Sequence, residues 1–496
     1  MAVGRNVAMV TATNTDTAGD TVALVPFAAA TVLPVAALTA VLHGVAAVAG
    51  PAYWFDEVYM LAIGRYHLDW GSVDQPPLTT ALAAAMDAVA PDSVFALRLP
   101  AILATATAVV IAGLIARELG GDRRAQVLTA VAQATAVWPT LAGHWLTPYT
   151  LEPVQWSLIL LLSIRWVRVR DDRLLPLLGV MVGVAALTKF QVLLLVAVLL
   201  IAVALCGPRE LLRRPLLWAG AVVAAGLATP TLLWQHANGW PQLQMTAVVA
   251  GEADALYGGR SGIAVQIVAF AGLAGAMLVL FGLWRLLRAA ELRPYRFVGV
   301  TFAVLFVVFV VTQGRPYYLC GLYAPLAAAG ALGLQRTRES HPGRTRRWPR
   351  WVGYSLTTAV AVATLVVSSV MTRSDVGERI AAGAADTYHA LPVEQRGRTA
   401  LFGASYIVAA YLDGYSRRFG LPEAFSTNRS YGHFTPPSDD VDTVLLIGPD
   451  DRELRPHFRE SRVVGNVGED IRVHLLTGLR QPWSTIWPEL RTLTVS

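Results

Sequence analysis

Two adjacent carboxylates following three aromatic rings stand out in Tyr53-Trp54-Phe55-Asp56-Glu57. A carboxylate held against rings loses hydration, so its pKa rises toward the range useful to a general base or a metal ligand. The same pair would also suit the first turn of a helix, whose positive end favours acids. Asp74-Gln75-Pro76-Pro77-Leu78 lies in the same stretch. Glu152, in Thr147-Pro148-Tyr149-Thr150-Leu151-Glu152-Pro153, offers a further carboxylate across a shared site, or a first-turn acid.

The basic residues are informative by type. Of 40 Lys and Arg, only Lys189 is a lysine, and it sits between two apolar runs in Thr188-Lys189-Phe190. A compact ammonium suits a phosphate oxygen, and an ionisable group beside apolar spans is a functional candidate; a lysine snorkelling from a span end is the alternative. Arg315 opens Gly314-Arg315-Pro316-Tyr317-Tyr318, where it could grip phosphate bidentately or mark an interface. Trp234-Gln235-His236-Ala237-Asn238-Gly239-Trp240-Pro241 is more polar than interfacial anchoring requires, and His236 is a weaker metal-ligand candidate.

These groups need a scaffold, and the composition names its class. The chain has 496 residues, 55% of them hydrophobic. Leu177 to Leu205 holds Lys189 and no other charge. A bilayer-crossing helix takes about 20 apolar residues, and such blocks recur at 23–49, 96–116, 124–142, 152–167, 174–188, 190–207, 216–234, 262–284, 297–313, 318–334 and 351–371. About eleven spans are expected, with the first too long for a signal-peptide core. Residues 1–22 read as a disordered cytoplasmic N-terminus, and 23–371 as a transmembrane domain with a first outer loop at 50–95.

Arginines cluster at 117–124, 165–173, 209–214, 285–296 and 336–350, in alternate connections. The intervening connections carry only Arg65, Arg98, Lys189, Arg260 and Arg315. This bias puts the clusters in the cytoplasm and the carboxylate motifs outside. It also accounts for the net charge of +6 without nucleic acid as a partner. Cys206 and Cys320 lack metal-ligand spacing and read as packing residues. Residues 372–496 are more polar, with strand-like runs at Thr399–Phe402, Thr443–Ile447 and Ile471–Leu476 and a helical pattern at Ile407–Phe419. They read as a small extracytoplasmic α/β domain.

Taken in order, the outward motifs resemble family 39 glycosyltransferases. These are GT-C-fold enzymes related to protein O-mannosyltransferases and to the aminoarabinose transferase of lipid A. The resemblance rests on Asp56-Glu57, Asp74-Gln75-Pro76-Pro77-Leu78, Arg98-Leu99-Pro100 and Thr188-Lys189-Phe190. It continues through Trp234-Gln235…Gly239-Trp240-Pro241 and Arg315-Pro316-Tyr317-Tyr318. In the tail it includes Ser405-Tyr406, Gly420-Leu421-Pro422 and Ser426…Asn428…Tyr431. It covers 50 to about 440. Two positions depart from the family pattern: Glu152 replaces the usual Asp, and Arg315 the usual Lys; both keep the charge.

The resemblance implies an inverting transferase in the cell membrane. Its donor would be a polyprenyl-phosphate sugar, mannose by default, and its acceptor a glycan, lipid, protein or exported natural product. Asp56 would be the base, positioned with Glu57 and Glu152. Lys189, Arg98, Arg315, Tyr317 and Tyr318 would face the donor phosphate. Asp74, Gln75, Trp234, Gln235, His236, Trp240, Tyr406 and Asn428 would line the sugar or acceptor. No cofactor is required, although a divalent Mg, Mn or Zn ion on Asp56, Asp74 and Glu152 is compatible with the pattern. A transporter or lipid-linked-sugar flippase is the competing class; it would place polar residues at mid-membrane on broken helices.

Overall fold

The computed structural model describes residues 25–341, 348–468 and 470–494, so the expected disordered segment 1–22 lies outside it. The chain begins with α1 (Ala29–Ala49), then α2 (Phe55–Tyr66) and α3 (Leu78–Val89) in the first long connection. A helical bundle follows: α4 (Val94–Glu118), α5 (Arg123–Ala134), α6 (Val137–Ala142), α7 (Pro148–Val169), α8 (Leu174–Ala186), α9 (Gln191–Cys206) and α10 (Pro215–Ala237). Two short helices, α11 (Pro241–Gly251) and α12 (Ala253–Tyr257), lead into α13 (Gly259–Ala269), α14 (Leu273–Arg288), α15 (Arg296–Val311), α16 (Tyr323–Ser340) and α17 (Trp348–Met371).

Each expected span corresponds to one or two of these helices. Among the described residues, however, only 6 helical stretches are long and apolar enough to cross a membrane alone, or 7 with the bent pair α13–α14. The expected span 124–142 is broken between α5 and α6. Pro139 explains the break: it has no N–H for the Thr135 carbonyl four residues back, and its ring clashes there, so α5 ends at Ala134 with Thr135 as its C-cap. The expected span 262–284 bends by 98° where Gly272 takes φ +77. The run around Lys189 divides into α8 and α9, of 13 and 16 residues.

At 1.5 Å per residue, the 25 residues of α4 extend about 37 Å and so separate the two ends of the bundle. At its far end Glu118 holds Arg117, Arg165 and Arg168, Asp122 holds Arg338, and Asp172 holds Arg214. The arginine-rich connections therefore gather away from α2.

The C-terminal part begins with α18 (Val376–Ala390) and forms a small mixed sheet with helices. Its strands are β1 (Thr399–Gly403), β2 (Ala424–Phe425), β3 (Thr443–Gly448), β4 (Phe458–Asn466) and β5 (Arg472–Leu479), in the order β2-β1-β3-β5-β4. β1 pairs in parallel with β2 and β3; β5 runs antiparallel to β3 and β4. Helices α19 (Tyr406–Gly414) and α20 (Trp483–Leu490) cover its faces. The expected helix 407–419 is broken only at Tyr415, with a further helical turn at Ser416–Phe419. Leu401, Leu445, Ile447 and Leu475 pack with α2, whereas Phe402, Val444 and Leu476 pack with Trp483 and Trp487. This is the two-faced alternation of a covered sheet. α2 is buried on nearly every side, with Val58 through Ile63 all enclosed. Its neighbours are the sheet, α18 and α19, so the first loop and the tail share one core.

Candidate active site

The N-terminus of α2 sets the centre. Trp54 is its N-cap, and the Glu57 carboxylate accepts the Trp54 backbone N–H at 2.8 Å, closing the first turn. Glu57 is fully buried and takes three guanidinium contacts from Arg98, at 2.5 to 3.1 Å. Arg98 spends its remaining donors on the Ala47, Gly50 and Ala52 carbonyls. This corrects one expectation: Arg98 has no donor left for phosphate; Glu57, sealed under Arg98, holds the first turn that carries Asp56 and does not itself reach a substrate. The pair locks α2 to α1 and α4.

Asp56, one residue earlier, points the other way. Its carboxylate accepts from the Tyr149 hydroxyl at 3.1 Å, and that hydroxyl accepts from the Trp54 indole at 2.9 Å. Burial pushes the Asp56 pKa up to about 6, and Asp74 adds to the rise; the Tyr149 hydrogen bond, Lys189 and Arg429 oppose it. Asp74 accepts from the Tyr59 hydroxyl at 2.7 Å and lies 3.5 Å from the Arg429 guanidinium.

The cations meet these acids from separate elements. Lys189, at the α8–α9 break, lies 4.2 Å from the Tyr318 ring centre and 5.6 Å from that of Tyr317. The ion pairs of the cluster use arginine, and Lys189 forms none among the described residues. Buried Glu152, on α7, is within electrostatic reach of Lys189, and its Oε1 has no hydrogen-bond partner. Arg315 bonds Glu252 and stacks over Tyr257 at 5.5 Å. Arg429, from the C-terminal part, bonds the same Glu252 at 2.7 Å and covers Tyr406 at 5.7 Å. Asp56, Asp74, Lys189, Arg315, Tyr317, Tyr318 and Tyr406 are thus brought together.

Other expected site residues have structural duties. Gln75 donates to the Met60 sulfur at 3.0 Å. Trp234 donates to Asp69, and Gln235 to the Ser72 carbonyl, clamping the first loop onto α10. Gly71 permits this, since a Cβ there would lie 2.8 Å from the Trp234 ring. His236 and Trp240 are exposed and meet edge to face, with ring centres 6.2 Å apart. Fully buried Asn428 accepts the Tyr406 N–H at 2.6 Å and donates to the Ala404 carbonyl, so it shapes the turn that presents Tyr406 and is not free to hold a sugar.

Among the described residues no three His, Cys, Asp or Glu side chains gather at a metal-sized point. Asp56, Asp74 and Glu152 therefore do not form the expected three-ligand set. Sequence reasoning missed Glu252 and Arg429. The one signal for Arg429 was its place between the quoted Asn428 and Tyr431.

Chemically, the cluster can take a proton on Asp56 and hold an anion against Lys189 and the arginines. Residues 74–234 match the family model for dolichyl-phosphate-mannose-protein mannosyltransferase. A sequence comparison with curated proteins finds no match. The fold is similar to that of ArnT from Cupriavidus metallidurans bound to undecaprenyl phosphate. That similarity has a TM-score of 0.61 at 18% identity, over 94% of this chain and 100% of that one. The apo state of ArnT gives 0.59 at 17% identity, over 90% and 97%. The mycobacterial arabinofuranosyltransferase AftD gives 0.50 at 15% identity, over 90% of this chain and 40% of that one. With the family pattern running through the first loop and Lys189, and the architecture matched along nearly its whole length, the chain is a multi-pass membrane protein of the GT-C glycosyltransferase fold.

Proposed function

We propose that this protein is an inverting glycosyltransferase. It moves a sugar from polyprenyl phosphate to an acceptor hydroxyl on the outer membrane face. Mannose is the first candidate sugar and a pentose such as arabinose the second. The observation that carries the reading is a half-buried carboxylate, Asp56, raised to about 6 and sharing one cluster with Lys189, which has no ion pair among the described residues. The undecaprenyl phosphate held by ArnT supports a lipid-linked donor.

In this reading the acceptor oxygen attacks the anomeric carbon as Asp56 takes its proton. The bond from that carbon to the phosphate oxygen breaks, and its electron pair leaves on the phosphate. Phosphate is a good leaving group, so what needs help is the acceptor proton and the departing charge. Lys189 and Arg315 stabilise that charge where it develops. Tyr317 and Tyr318 wall the Lys189 ammonium, and Asp74 with Tyr59 and Tyr406 shapes the acceptor side. Glu152 tunes Lys189. No cofactor is required, because cationic side chains carry the phosphate charge. The C-terminal sheet lies outside the membrane and walls the acceptor site.

The test supplies labelled polyprenyl-phosphate mannose to membranes containing the protein. Wild type should release polyprenyl phosphate, and Asp56→Asn should slow release by about 10² to 10⁴, the range of a lost general base. Unaltered turnover in that variant would remove Asp56 as the base.

A further inference from the structure

Glu252 stands where an anion should be. Its Oε1 accepts from Arg429 Nη2 at 2.7 Å, and its Oε2 accepts from Arg315. One carboxylate thus spans guanidinium groups from two distant parts of the chain, as two oxygens on one phosphorus would. The seat is not saturated: Arg315 Nη1 and Arg429 Nε are buried without hydrogen-bond partners, and the Lys189 ammonium has no ion pair among the described residues. Buried donors of this kind are costly to leave unpaired and mark a place for further acceptors.

The segment that delivers Glu252 is loosely held. Of α11 only Pro241 and Met245 are buried, and of α12 only Ala253. Both ends take left-handed backbone, with φ +76 and +57 at Gly239 and Trp240, and +72 and +66 at Gly258 and Gly259. These positions can absorb a large backbone rotation, as hinge residues do.

We infer that Glu252 is a built-in occupant of the donor-phosphate seat, and that donor binding requires it to leave so that Arg315 and Arg429 can both take the phosphate. This rests on the glycosyltransferase reading and deepens it. Arg429 becomes a phosphate-binding residue supplied by the C-terminal part. Donor entry is thereby coupled to the contact between that part and the α11–α12 segment.

The test measures binding of undecaprenyl phosphate to the full-length protein in detergent. If Glu252 holds the seat in about nine molecules of ten, removing its charge lowers the apparent Kd about tenfold. Glu252→Gln should therefore bind more tightly, and Glu252→Ala, which lacks the amide as well, should move in the same direction. Arg429→Met should bind more weakly. Affinity unchanged or weakened in both Glu252 variants would overturn the inference. Lys189→Met separates the two levels. A normal affinity in that variant would sink the phosphate-site reading itself, whereas weakened binding there with unimproved Glu252 variants would sink only the role given to Glu252.

Discussion

Asp56 and Glu57 are neighbours in the chain with opposite fates. The Asp56 side chain reaches a tyrosine hydroxyl within the cluster, and that of Glu57 is sealed under Arg98. Two different experiments follow. If Asp56 is the base proposed above, a carboxyl raised to about 6 works only when deprotonated, so turnover should be flat above that pH and fall about tenfold per unit well below it. A rate profile with no break between pH 5 and 7 would remove the titration of Asp56 from the mechanism. Arg98→Met leaves an uncompensated buried charge, which costs about 3–5 kcal/mol. A large drop in melting temperature is expected, with donor affinity retained in whatever protein stays folded. Residue types alone flagged Asp56, Lys189 and Arg315, because acids, a lone lysine and an arginine beside apolar runs are conspicuous. They did not reveal that Glu57 pairs with a residue 41 positions away. Nor could they single out Arg429 among so many arginines, since its value comes from a left-handed backbone turn at φ +54 and from contacts with Glu252 and Asp74.

At the level of elements, the apolar blocks were legible because twenty-odd hydrophobic residues admit few other fates. Their breaks were not. Pro139 and Gly272 read as ordinary members of apolar runs until the helices on either side are seen to diverge. Strands β1, β3 and β5 announced themselves by apolar runs. β4 did not, because it is an edge strand carrying Arg459, Glu460 and Arg462 toward solvent, which is how sheet edges avoid pairing with strangers. The clamp between the first loop and α10 offers a test of element placement. Gly71→Ala drives a methyl into the Trp234 ring, and overpacking of this kind costs about 1–3 kcal/mol. Thermal melting of the purified variant should show that loss; an unchanged melting temperature would mean the loop does not rest on Trp234.

For the whole molecule, the C-terminal sheet shares one core with α2 and is not a separate appendage. A Cβ on Gly414 would lie 2.2 Å from a Val58 side-chain methyl, so the Val58 side chain of α2 packs directly on the α19 backbone. Truncation after Arg373 should therefore expose the buried faces of α2 and prevent accumulation of a monodisperse protein, as size-exclusion chromatography in detergent would show. A truncated chain that runs as a single folded species would disprove the shared core. The most direct trial of the account is a labelling experiment in intact cells. Cys206 and Cys320 are replaced by Ser, and single cysteines are then placed at Asp56, Lys189 and Arg168. A membrane-impermeant maleimide should label the first two from outside and spare the third. Labels that put Asp56 and Lys189 in different compartments would mean that the proposed base and the proposed phosphate-holding ammonium cannot serve one reaction.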